Sequence, residues 1–149
     1  MSRRRQPVVK RATENRVIVG QEDMVLLQNI NDSGILANLR SRISSAEIYT
    51  FIGPVLVACN PYKWLTIYDN ETMKKYIHQQ RVDVPPHIFA TAEAAYRTMV
   101  TEDDNQCLII SGESGAGKTE ASKQIQSYIA TVCGGGEEVD ALKRIFLES

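Results

Sequence analysis

Long apolar stretches are missing from this chain. The longest uninterrupted runs, Val55 to Cys59 and Cys107 to Ile110, are far too short to cross a bilayer, and no apolar core follows the arginines Arg3 to Arg5. Neither a membrane anchor nor a secretory signal is therefore expected. Histidine is scarce as well. His78 and His87 stand nine apart with no cysteine pair or further histidine at ligand spacing, which excludes a zinc site on sequence grounds and reads both as helix-surface residues. Cysteine is limited to Cys59, Cys107 and Cys133, an odd and scattered set that cannot form a disulfide framework. Two of them sit in apolar segments, where a thiol behaves as a small hydrophobe, and the set suits a reducing cytosol. There is no internal repeat and no low-complexity tract, only the short glycine break at Gly134, Gly135 and Gly136.

What is present is ordinary for one globular domain: 149 residues, 43% hydrophobic. The net charge of −1 conceals an asymmetry, because the first sixteen residues carry about +5 and the remainder about −6. Residues 1–16 read as a basic, solvated and irregular leader. Such a run can touch nucleic acid, an acidic membrane or an import receptor. Its composition alone favours none of these, and no nucleic-acid partner or membrane segment is expected.

Apolar spacing places the elements that follow. Ile35, Leu36, Leu39 and Ile43 predict a helix over 33–44 after Asp32 and Ser33. Two β-rich runs, 48–52 and 55–60, are divided by Gly53 and Pro54 and predict paired strands joined by a tight turn. A helix is expected over 70–80, with Met73, Tyr76 and Ile77 inward. Another, over 87–102, follows Pro85 and Pro86 and carries Ile88, Ala92, Ala95, Tyr96 and Met99 on one face, with Glu93 and Arg97 paired on a different one. The run Cys107 to Ser111 reads as a strand buried on both faces. Helices are expected again over 117–132 and 137–148.

The strongest motif is Gly112-Glu113-Ser114-Gly115-Ala116-Gly117-Lys118-Thr119, which meets G-x-x-x-x-G-K-[ST] at every fixed position. A strand before it and a helix after it are the setting such a loop requires. Glycine lets successive backbone N–H groups converge on phosphate oxygens, and the helix N-terminus adds partial positive charge at the same place. Lys118 is expected to reach the β and γ phosphates. The Thr119 hydroxyl is expected to ligate Mg²⁺, a cation that takes few protein ligands.

The continuation through Glu120-Ala121-Ser122-Lys123 makes this segment resemble the phosphate loop of myosins, class I in particular. Asn60-Pro61-Tyr62-Lys63-Trp64, with Ile67-Tyr68 beyond, is similar to the myosin loop that borders the adenine, and the stretches 48–63 and 84–97 also look like class I. Read without the family, Asn60 to Trp64 is a polar and aromatic corner after a strand. The resemblance covers residues 17–149. It implies that Asn60, Pro61, Tyr62, Lys63 and Tyr68 flank the base of bound ATP, with Glu120 nearby. Position 121 holds alanine where many conventional myosins have asparagine, so a side-chain contact from there is not expected.

The implied fold class is α/β, a partial P-loop NTPase sheet flanked by helices, as in the N-terminal part of a myosin motor domain. The implied role is the ATP-binding portion of an actin-based motor of the cytoplasmic cytoskeleton, working with Mg²⁺. Neither the Asn-x-Asn-Ser-Ser-Arg nor the Asp-x-x-Gly-Phe-Glu segment of that family occurs. No catalytic residue is therefore assigned within the chain, which reads as truncated before the switch segments and expected to bind nucleotide without turnover. Actin, light-chain and tail contacts would lie in parts of the motor that the sequence does not contain. Two other readings remain open from the residues: a non-motor ATP-binding module and a small nucleotide kinase. The hundred-odd residues ahead of the loop speak against the kinase.

Overall fold

The computed structural model describes residues 20–134. The basic leader and the helix expected over 137–148 lie outside them. Four α-helices and one hairpin make up the described part, with short 3-10 turns at Met24–Leu26 and Arg81–Asp83.

Helix α1, Asp32–Ser44, begins where Asn31 Oδ1 accepts the Gly34 N–H at 2.9 Å, one residue ahead of the expected caps. Its buried side differs from the one that apolar spacing picks out. Leu36 and Ile43 are exposed, while Asn38 and Arg42 are buried. Asn38 pairs with both backbone groups of Gln21, accepting at 2.7 Å and donating at 3.0 Å. Arg42 donates from Nε to Thr50 Oγ1 at 2.9 Å and from Nη2 to the Tyr49 carbonyl at 2.9 Å. Buried polar side chains are tolerated here because each is matched to a fixed partner.

Strands β1, Tyr49–Ile52, and β2, Val55–Ala58, pair antiparallel from Tyr49↔Ala58 to Ile52↔Val55. The turn between them works because Gly53 adopts φ +55°, and its N–H is held by Asp23 Oδ1 at 3.1 Å. This is the hairpin the sequence predicts.

Helix α2, Asn70–Lys74, is capped by Asp69, whose Oδ1 accepts from the Thr72 N–H at 2.6 Å. It is half as long as the expected 70–80 helix. Turns follow Lys75, and His78 takes the left-handed conformation at φ +60°, which no α-helix continues through. Helix α3, Ile88–Glu102, and helix α4, Lys118–Val132, agree with their expected spans to within a residue.

The core gathers β1 (Tyr49 and Phe51), the α2 region (Met73 and Tyr76), α3 (Phe89 and Ala92) and Tyr128 of α4. Phe89 is fully buried and stacks on Tyr128 at 5.2 Å between ring centres. Burying such a side chain is worth roughly 1.5–3 kcal/mol.

Three expectations are corrected at this point. Glu93 does not lie on an outer face with Arg97: it is 1% exposed and accepts from the His78 N–H and the Tyr128 hydroxyl, each at 2.8 Å. His87 is not on a helix surface. It is the buried N-cap of α3, its Nδ1 accepting the Phe89 N–H at 3.1 Å. Residues 107–111 form no strand, and Ile109 is 88% exposed. An apolar run becomes a buried strand only beside other strands, and among the described residues the β1–β2 hairpin is the whole of the sheet. Cys107 is exposed with it.

Candidate functional site

The glycine-rich loop runs from Gly112 into α4 with its backbone open. Gly115 and Gly117 have φ +78° and +96°, values that side chains disfavour, and nothing lies within 4 Å of where a Cβ would stand at either position. Gly117 is the N-cap of α4 and supplies no side-chain cap, which leaves the first-turn N–H groups without a side-chain partner. Such an arrangement can take an anion. Lys118 turns back over this loop, its Nζ donating to the carbonyls of Gly112 and Glu113, each at 2.8 Å. Its charge is thus held against the loop backbone. Thr119 is exposed at the first turn of α4.

The second predicted segment leaves the end of β2 and reaches the loop. Asn60 Oδ1 accepts the Tyr62 N–H at 2.8 Å, fixing a tight turn with Tyr62 at φ +51°. Asn60 Nδ2 then donates to the Gly115 carbonyl at 2.7 Å, joining two segments 55 residues apart in sequence. Between them lies a cleft of about 400 Å³, lined by Asn60, Pro61, Tyr62, Lys63 and Tyr68 on one side and by Ala116, Gly117, Glu120 and Ala121 on the other. Gly112, Glu113, Ser114, Gly115, Lys118 and Thr119 are not in that lining, although the Gly115 carbonyl is bound by Asn60, which is.

Sequence reasoning missed several wall residues: Ile48 and Tyr49 at the start of the hairpin, Ala58 and Cys59 at its end, and Leu65 in the loop, while Trp64, part of the quoted loop, is not among the residues expected at the base. Trp64, the single tryptophan, is 94% exposed, so no burial signal marks it, whereas Tyr49 reads from the sequence as an ordinary strand residue. Tyr49 Oη and Tyr68 Oη stand 2.8 Å apart. Burial first, then this hydrogen bond, raises the pKa of Tyr49, and the charge of Glu120 acts in the same direction. Tyr68 is raised too, chiefly by burial. Both phenols stay protonated across the neutral range. Burial also raises the Cys59 thiol, making it a poor nucleophile.

Beneath the cleft, His87 packs edge-on to Tyr49 at 5.0 Å and flat against Tyr76 at 5.0 Å. Burial pushes its pKa down to about 4, with the Ile67 carbonyl offsetting part of the effect. Nδ1 accepts a backbone hydrogen bond, so the ring proton sits on Nε2. Among the described residues no cluster of metal-ligating side chains occurs, and no helix is long and apolar enough to cross a membrane.

Residues 21–149 match the family described as myosin head (motor domain), and the chain belongs to that family. Its similar relatives are class I myosins. It is 50% identical over 131 residues to the myosin IA heavy chain of Dictyostelium discoideum, which is 88% of this chain and 13% of that protein. It is 46% identical over 132 residues to unconventional myosin-Ib of Homo sapiens (89% and 12%) and 49% identical over 131 residues to unconventional myosin-Ia of Bos taurus (88% and 13%). The chain thus spans about an eighth of the length of these relatives.

Proposed function

We propose that this chain is the ATP-gripping portion of an actin-based motor of the cytoplasmic cytoskeleton, similar to class I myosins. The observation that carries the reading is the Asn60 to Gly115 hydrogen bond, which joins the two predicted binding segments around one cleft. In this reading Asn60, Pro61, Tyr62, Lys63 and Tyr68 border the base, with Glu120 close by. The phosphates meet the backbone from Gly112 through Gly117, passing Glu113, Ser114, Gly115 and Ala116.

The residues fit ATP and Mg²⁺. The start of α4 has no side-chain cap, and the space beside Gly115 and Gly117 is one that a Cβ would enter. Lys118 would leave the Gly112 and Glu113 carbonyls to hold phosphate oxygens, and Thr119 would offer its hydroxyl to the cation. When bound, Mg²⁺ supplies charge neutralisation between phosphates.

The partial P-loop sheet belongs to the same proposal. Residues 107–111 are apolar and exposed and lead directly into the loop, which suits a strand that pairs with further strands of a motor domain over 17–149 and beyond. Actin filaments are the proposed track. The family match sets aside the nucleotide kinase, and no observation favours a module unrelated to motors.

Calorimetric titration of the chain with Mg·ATP tests the reading. Lys118→Ala removes the loop's mobile cation and is expected to weaken binding at least about tenfold, the scale of a charge-assisted hydrogen bond pair. Equal affinity in the variant and the parent would sink the phosphate assignment.

A further inference from the structure

We propose that Tyr49 is a positioning residue for base recognition: its buried hydroxyl donates to Tyr68 Oη, so that the Tyr68 proton is left to be donated into the cleft. This rests on the reading of the cleft as a nucleotide site, and it adds a residue which that reading does not contain. Tyr49 is 4% exposed, and among the described residues its hydroxyl is hydrogen-bonded to Tyr68 Oη, at 2.8 Å. A buried hydroxyl that only accepted would keep an unsatisfied proton in the interior, so Tyr49 is the donor of the pair. Tyr68 is half-buried and lines the cleft, where its own proton can turn outward.

The Tyr68 ring is confined as well, edge-on to Phe89 at 6.2 Å and tilted against His87 at 5.7 Å. Ring packing sets where the phenol lies, and the Tyr49 bond sets which way its proton points. Glu120, whose charge disfavours ionisation of both phenols, keeps that proton in place. The ligand feature selected is a hydrogen-bond acceptor on the edge of an aromatic base. Inorganic phosphates, which engage the loop beyond Gly112, gain nothing from it.

The test compares Mg·ATP with magnesium pyrophosphate by titration calorimetry on the parent chain, Tyr49→Phe, Tyr68→Phe and the double variant. Tyr49→Phe keeps the ring packing and removes only the donor. It is expected to weaken ATP roughly two- to tenfold, the range of one net hydrogen bond, and to leave pyrophosphate within about twofold. In the Tyr68→Phe background the same change is expected to have no further effect. Equal losses for both ligands would assign Tyr49 to general packing and overturn the proposal, as would an unchanged ATP affinity or an effect that persists without the Tyr68 hydroxyl. A parent chain that binds neither ligand overturns the nucleotide reading and this inference together, whereas normal parent binding with an indifferent Tyr49→Phe overturns this inference alone.

Discussion

Replacing Tyr128 by Phe isolates one buried contact with little change in shape. Tyr128 is fully buried in α4, stacked on Phe89, and a phenylalanine ring retains that stack. What disappears is the 2.8 Å hydrogen bond from its hydroxyl to Glu93 Oε2. Burial and the charge of Glu93 both raise the Tyr128 pKa, so the phenol is a committed donor at any working pH. The carboxylate is 1% exposed and would keep only the His78 N–H on its other oxygen. A hydrogen bond to a charged group contributes about 1.5–3 kcal/mol, so a loss of about 2 kcal/mol is expected, a large part of the stability of a small domain. With a urea slope of about 1–3 kcal/mol per molar, the unfolding midpoint should fall by about 1 M. Glu93→Gln should cost a similar amount, because its amide NH₂ must face one of two donors. The double variant should be less damaged than the sum of the two, by about 1 kcal/mol, since that amide no longer meets a hydroxyl. Urea unfolding followed by far-UV circular dichroism measures all four corners. A loss below about 0.5 kcal/mol for Tyr128→Phe, or strict additivity, would refute the reasoning.

His87 should make the fold sensitive to mild acid. Its pKa is about 4 in the folded chain against 6.5 for a free imidazole, so below pH 6.5 the unfolded state binds more protons and stability falls, by about 3 kcal/mol on reaching pH 4. His87→Asn keeps a capping acceptor, so its stability should decline less over that interval; parallel pH profiles for the two proteins would contradict this. Trp64, solitary and exposed at the cleft, should change its emission when Mg·ATP is added and not with pyrophosphate. An unchanged spectrum at ATP concentrations that calorimetry shows to be saturating would remove Trp64 from the base side.

The glycine loop and its helix were readable because their constraints are local: positive φ at Gly115 and Gly117 and the apolar spacing of α4 are written in adjacent residues. The hairpin was readable for the same reason, through Gly53. Apolar periodicity ranks only apolar side chains, and so it misjudged α1, whose buried face is Asn38 and Arg42, and α3, whose Glu93 points inward. Those residues are buried because distant backbone groups and a tyrosine on another helix satisfy them, and no window of neighbouring residues contains that information. Residues 107–111 failed differently. Their apolarity is real, but strand formation depends on partners that the described residues do not supply. In the candidate site, the two segments that meet at the cleft are legible in the sequence, and the part that is not legible is the wall that packing brings to them, above all Tyr49.

The Glu93 clasp also has a mechanical meaning. It grips α4 at Tyr128, ten residues beyond Lys118, and at 1.5 Å per residue the glycine-rich loop sits at the end of a rod about 15 Å long. Because the same carboxylate holds the His78 backbone, the fulcrum is tied to a turn outside both helices. If α4 moves as a rigid rod, displacing the loop by about 1 Å requires a tilt of only about 4° about that fulcrum, while the aromatic core around Tyr128 hardly shifts. The lever also works in reverse. A tilt imposed on α4 through α3 would displace the loop in proportion to that length, and the part that would feel it is where Lys118 rests on the Gly112 and Glu113 carbonyls.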